Sequence, residues 1–292
     1  MRYLVYLSHS LRSIYLETIY SIYSFYLHND LSIKIVVYTD NVAFFKSYLD
    51  HFPNISYEQL TPEMISEMKG KLEFIHRAKV CVLRDVLTKR EGSFFFVDSD
   101  TYFLQSLSDD FSNVENGCLY MHVYEKNLDR SSVYEPLMQK TIQLGKEEIL
   151  LDQSIEIWNS GIVGMTDQGL PLVEKVLALT DVMLSVYQKH IIEQLAFSYI
   201  FQKHSPIQNV DAKVVHYWYV KEFRGHLEKI FESDAIRQPD NLMKIIRKVN
   251  PVNAILEKRR WKKKGLARLF QRIAGSKFTL RPLTNIDELL RE

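Results

Sequence analysis

Two carboxylates one residue apart, Asp98 and Asp100, follow directly on Phe94-Phe95-Phe96-Val97. Residues i and i+2 of an extended chain point to the same side, so both acids leave a strand end aimed at one spot. Like charges held that close stay ionised together only when a cation lies between them. Oxygen ligands of this kind suit Mg²⁺ or Mn²⁺, which keep open positions for phosphate oxygens. The triplet therefore predicts a divalent-metal site at the carboxyl end of a buried strand. Read locally, it also fits a loop in which one Asp caps a turn and the other faces water.

Four further segments carry groups that such a site could use. Arg77 and Lys79 lie just before the metal strand and could meet a diphosphate, or form a solvated helix face. In Asn159-Ser160-Gly161, the glycine would let backbone approach a ligand and the amide could bond sugar hydroxyls; an ordinary strand bulge reads the same way. Glu193-Gln194 opens an apolar helix, where the helix dipole alone favours a carboxylate. His216 ends a strand beside Tyr217-Trp218, as a metal ligand or as a packed imidazole. Lys221, just beyond, is a candidate phosphate ligand.

The elements that must position these groups alternate. Tyr3 to Leu7 reads as a strand, and apolar residues at helical spacing follow from Leu11 to Leu27. Ile33 to Tyr38 is a β-branched strand ending at Thr39-Asp40. A helix over 42–50, a short strand at 55–57 and a helix starting at Thr61-Pro62 come next. A helix over 74–87 then leads into strand 93–97. Beyond the acids, strands are expected at 118–123 and 155–165 around an irregular stretch, 124–154. Helices follow near 168–187 and 190–203, then a strand over 210–217. This alternation argues a doubly wound, mostly parallel α/β sheet, whose ligands bind at the carboxyl ends of the strands. Ser8, Asp40, Asp98 and Asp100 all fall at such ends.

Composition agrees. A chain of 292 residues, 46% hydrophobic with 16 Phe and 17 Tyr, can fill a large sheet-based core. Two cysteines, Cys81 and Cys118, exclude a disulfide framework and point to a reducing compartment. No apolar run reaches the roughly 18 residues needed to span a bilayer. The start, Met1 to Leu7, is too soon broken by Ser8-His9-Ser10 and Arg12 to be a signal peptide. The net charge of +1 hides an asymmetry. Lys244 to Arg281 holds 13 basic residues against Glu257, a balance of +12 that leaves −11 on the remainder. We therefore divide the chain into an α/β domain, 1–235, and a basic C-terminal region, 236–292. Within that region Arg259-Arg260-Trp261-Lys262-Lys263-Lys264 precedes Leu266, Leu269, Phe270 and Ile273 at helical spacing. This cationic amphipathic pattern suits an anionic membrane surface, or an apolar edge packed on the acidic body. Nothing in the chain matches a nucleic-acid recognition motif.

Taken in order, these parts resemble a nucleotide-sugar-dependent glycosyltransferase of the GT-A fold, closest to the family-eight, glycogenin- and galactosyltransferase-like group. Asp98-Ser99-Asp100 resembles its Asp-x-Asp metal motif. Asn159-Ser160-Gly161 is similar to its Asn-[Ala/Ser]-Gly strand, and Glu193-Gln194 to its acidic-Gln helix start. His216 resembles the late metal-ligand His, though Lys221 follows it by five residues with no Gly between. The resemblance implies Mn²⁺ or Mg²⁺ held by Asp98, Asp100 and His216. It implies a UDP-sugar donor contacted by Ser8, Asp40, Arg77, Lys79, Asp98, Ser99, Gly161, Gln194 and Lys221, and catalysis by Glu193 with Asn159 orienting the sugar. A glycan or lipid-linked glycan would be the acceptor. The enzyme would be cytoplasmic, or peripheral at the inner face of a membrane. Two rivals remain at this stage. Phe94 to Thr101 also fits the apolar-strand-plus-Asp-x-Asp-x-Thr signature of a haloacid-dehalogenase-type phosphatase. A nucleotide-sugar-binding protein without turnover would share the same fold.

Overall fold

A computed structural model describes residues 1–138, 140–262, 277–283 and 285–291. In chain order its first half runs β1 (Arg2–Ser8), α1 (Arg12–Tyr26), β2 (Lys34–Thr39), α2 (Val42–Leu49), β3 (Ile55–Gln59), α3 (Pro62–Lys69), α4 (Arg77–Lys89), β4 (Ser93–Val97), β5 (Thr101–Phe103) and α5 (Ser108–Glu115). There follow β6 (Leu119–Asn127), β7 (Thr141–Leu144), β8 (Glu147–Leu150), β9 (Glu156–Thr166), α6 (Leu170–Val186) and α7 (Ile192–His204). The last part contains β10 (Ile207–Asn209), β11 (Val214–His216), α8 (Arg224–Phe231), α9 (Pro239–Lys248), α10 (Pro251–Lys262) and a short helix at Ile286–Arg291.

The main sheet has seven strands in the order β10-β6-β9-β4-β1-β2-β3. Its pairs are parallel except those that β9 makes with β4 and β6. The chain moves outward from β1 through β2 to β3, then returns to lay β4 on the other side of β1. The sheet order therefore reverses between β1 and β4, and the crevice at their carboxyl ends is where such sheets bind ligands.

Burial on both faces explains the continuous apolar runs. Phe94 and Phe96 pack with Tyr3, Val5 and Val36 against residues of α4, α6 and α7. Phe95 and Val97, one step out of phase, pack with Leu4, Tyr6 and Ile35 against α1, α5 and α8. Burying each such phenylalanine contributes about 1.5–3 kcal/mol, so β4 is anchored from both sides just before it delivers Asp98.

Three stretches differ from the sequence reading. The strand expected over 210–217 is only β11, which crosses to pair antiparallel with β5; β10 lies before that range and extends the main sheet beside β6. A turn at 211–213 separates them. The irregular stretch 124–154 contains the end of β6 and a β7–β8 hairpin, turned at Gly145 with φ +62°. Finally, α9 buries Leu242, Ile245 and Ile246 in the same cluster as Tyr20 of α1. Tyr20 also donates its hydroxyl proton to the Val249 carbonyl. The amphipathic run Leu266, Leu269, Phe270 and Ile273 lies outside the described residues, as do Lys263 and Lys264.

Candidate metal centre

The β4 strand ends at Val97, and Asp98 keeps the chain tied to the sheet by donating its backbone N–H to the Gly161 carbonyl at 2.8 Å. The chain then turns so that Thr101 starts β5, which pairs with β11 in the register His216 to Thr101. This small sheet sets His216 over the acids. Its Nε2 lies 3.0 Å from Asp100 Oδ1 and 3.7 Å from Asp98 Oδ2. One ligand atom from each of Asp98, Asp100 and His216 falls within 4.8 Å of the others. Two carboxylates and an imidazole are a fitting donor set for a divalent ion.

Gly161 makes room for the ring. A Cβ at that position would stand 2.2 Å from His216 Nδ1, so the group that approaches the glycine closely is the imidazole itself. Asn159 completes the arrangement. Its Oδ1 lies 2.9 Å from His216 Nδ1 and accepts the Gly161 N–H, while its Nδ2 donates to Glu125.

Lys79 is 5% exposed and reaches from α4 beneath the strand ends. Its Nζ lies 3.0 Å from Asp98 Oδ1, donates to the Ser160 carbonyl at 2.9 Å and stands 3.6 Å from Glu193 Oε1. Burial alone would lower the lysine pKa, but Asp98, Glu193 and Asp100 outweigh it and raise it. Glu193, 2% exposed, accepts from the Ser160 hydroxyl through Oε2. Its Oε1 has no hydrogen-bond partner among the described residues. Burial pushes the Glu193 carboxyl up to about 7 despite the pull of Lys79. Asp98 is likewise raised by burial, whereas His216 overcomes burial at Asp100 and lowers it.

These groups line a cavity of about 360 Å³ together with Ser99 and Gln194. Other expected ligands sit elsewhere. Arg77 turns away to Asp181, its Nε and Nη2 at 2.6 and 3.0 Å from the carboxylate. Ser8 is buried and accepts from the Thr18 hydroxyl. Asp40 accepts from the Ser10 N–H and the Tyr15 hydroxyl, joining the end of β2 to the β1–α1 turn. Lys221 is exposed at the start of a 3₁₀ turn. None of these four lines the cavity.

Several groups that do line it belong to no motif of the sequence. Glu17 of α1 meets Arg224 with two 2.9 Å contacts, and burial raises its carboxyl to about 7. It is the only acid in α1, a signal readable in the sequence, although its partner is 207 residues away. His76 and His190 line the same wall, 6.5 Å apart between ring centroids. Burial holds His76 down to about 4. Trp218, 50% exposed, stands at the rim two residues after His216.

No protein-family model and no curated protein sequence matches the chain. Solved structures do. Mouse xyloside xylosyltransferase 1 aligns at 10% identity over 80% of this chain and 94% of that one, with a TM-score of 0.51. The galactosyltransferase LgtC, solved with donor and acceptor sugar analogues, aligns at 12% identity over 68% of this chain and 70% of that one, TM-score 0.46. The glycosyltransferase GlyE of Streptococcus pneumoniae aligns at 15% identity over 71% of this chain, TM-score 0.45. The match spans 45% of the GlyE chain and 38% of the bifunctional glycosyltransferase WbbM. The chain has the α/β fold of GT-A glycosyltransferases.

Proposed function

We propose that this chain is a metal-dependent glycosyltransferase of the family-eight kind. It moves a hexosyl group from a UDP-sugar to a glycan or lipid-linked glycan. The observation that carries this reading is the convergence of Asp98, Asp100 and His216 at the sheet's reversal point, inside a cavity that also holds a buried lysine and a buried glutamate.

Asp98, Asp100 and His216 would hold the ion, Mn²⁺ or Mg²⁺. When bound, it supplies a Lewis acid that offsets charge on the departing diphosphate. Lys79 ties Asp98 to the floor of the site and balances Glu193, so that a half-buried and a buried acid can face one cavity. Asn159 fixes the imidazole plane through its amide oxygen. Glu193, buried beside Lys79 in the cavity lining, would act on the reacting sugar as a base toward the acceptor hydroxyl or as a counter-charge to the developing sugar cation. Trp218 and His76 also line the cavity and would be within reach of an acceptor that enters it.

The decisive measurement is UDP release from a panel of UDP-sugars in the presence of Mn²⁺. Wild type should turn over at least one donor, and Asp100→Ala should abolish this while circular dichroism and the unfolding midpoint stay near wild type. Undiminished turnover in Asp100→Ala would overturn the reading.

The acceptor side of the proposal includes an anionic membrane surface met by residues 244–281, at the cytoplasmic face, with no nucleic acid involved. Among the described residues no helix is long and apolar enough to cross a membrane. Lys244, Arg247 and Lys248 are exposed on α9 at spacings that share one helix face. Replacing all three by Gln should reduce co-sedimentation with phosphatidylserine vesicles. Equal binding by the triple variant would remove the membrane from the proposal.

A further inference from the structure

A side-chain amide can turn over without changing shape, so its neighbours decide which end is oxygen. At Asn159 both neighbours are unambiguous. The Gly161 backbone N–H, 2.9 Å away, can only donate, which places the oxygen on its side. The Glu125 carboxylate, 3.0 Å from the opposite end, accepts, which places the nitrogen there. The oxygen so held also faces Nδ1 of His216 at 2.9 Å, and an acceptor in that place requires the proton on Nδ1. The lone pair of the neutral ring is then on Nε2, the atom 3.0 Å from Asp100 and 3.7 Å from Asp98.

We propose that Glu125 is a positioning residue of the metal centre: through Asn159 it selects the His216 tautomer whose Nε2 faces the ion. The proposal rests on the metal-site reading above. Glu125 is itself held for this task. Tyr124 pairs with Trp158 and Lys126 with Ile157, so Glu125 is the extra residue of a bulge in β6. Bulges beside sites of this kind redirect side chains at the cost of a ladder pair. Its second oxygen accepts from Gln194 Nε2 at 3.1 Å, so the carboxylate is gripped at both ends by amides, one from β9 and one from α7. Outer partners that orient a histidine in this way tune the metal affinity they never touch.

The test has two arms. In ¹⁵N-labelled wild type loaded with diamagnetic Cd²⁺, long-range nitrogen–proton correlation should show His216 protonated at Nδ1 and metal-bound through Nε2. Metal bound through Nδ1 overturns the proposal whatever the variants do. In the second arm, Mn²⁺ alone is titrated by electron paramagnetic resonance into wild type, Glu125→Leu and Glu125→Gln. Leu cannot accept the amide proton and should weaken Mn²⁺ binding by about 10- to 100-fold. Gln can offer its oxygen to Asn159 while Gln194 turns over to meet its NH₂, and should stay close to wild type. Mn²⁺ affinity in Glu125→Leu equal to wild type overturns the relay, as does a folded Glu125→Gln no better than Leu. A wild type that takes up neither ion sinks the metal centre and the relay together. Uptake with the wrong tautomer sinks the relay alone.

Discussion

Glu17 shows how much one buried carboxylate changes the protein's response to pH. It is 2% exposed and faces Arg224, yet burial outweighs the guanidinium and carries its pKa from 4.5 to about 7. The folded protein therefore holds this proton more tightly than the unfolded chain does. The stabilisation is complete below about pH 4.5 and is lost as the pH rises towards 7. Across that window the metal-free wild type should lose stability relative to Glu17→Gln, by up to about 3 kcal/mol at 1.36 kcal/mol per pKa unit. Urea unfolding of both proteins at several pH values checks this, and parallel stability curves would refute it. At this scale the sequence was only half readable. The acid pair after β4, Asn159 and His216 stood out because residue type and strand position coincide. Arg77 stood out equally and turned to Asp181, since nothing local tells a lysine two residues away that it will be buried instead.

The elements meet tightly where β9 passes beneath β11. Gly161 accepts the Asp98 N–H through its carbonyl and the His216 ring through its missing side chain. Gly161→Ala would put a methyl group where Nδ1 now sits, and the ring is the only part able to give. Mn²⁺ affinity measured by calorimetry should fall by at least about tenfold, with the strand pairing, and hence the far-ultraviolet circular dichroism, retained. Unaltered affinity would mean that the two strands can separate without disturbing the centre. Much of the main sheet was legible because its signals are local: runs of Phe, Val and Ile, separated by helical periodicities, need only their own neighbours. The β5–β11 pair was not. It joins three residues near 102 to three near 215, and segments that short carry no periodicity of their own. The same holds for the bulge at Glu125, which depends on how β6 and β9 slip past one another.

On the scale of the molecule, the basic C-terminal region is partly interior. Leu242, Ile245 and Ile246 join the cluster of α1 and β5, and Tyr102 donates its hydroxyl proton to the Ile246 carbonyl at 3.1 Å. Further on, Lys258 reaches back to Glu222 and the Tyr219 carbonyl. Leu242→Ala should cost about 2–5 kcal/mol and lower a single cooperative unfolding transition. Two separable transitions, with only the weaker one moved, would instead make residues from 236 onward an independent unit. Its charge balance sets that region apart from the body, because basic residues dominate its charge while the apolar ones doing the packing are spread at helical intervals. The three-residue bridge between β5 and β11 has a consequence for how the protein is made. Two of the three would-be ligands emerge from the ribosome more than a hundred positions before the third. In a chain that binds an ion as proposed, the donor set would be complete only once β11 has been made and paired with β5, so full-strength ion uptake would report that these two distant segments have docked.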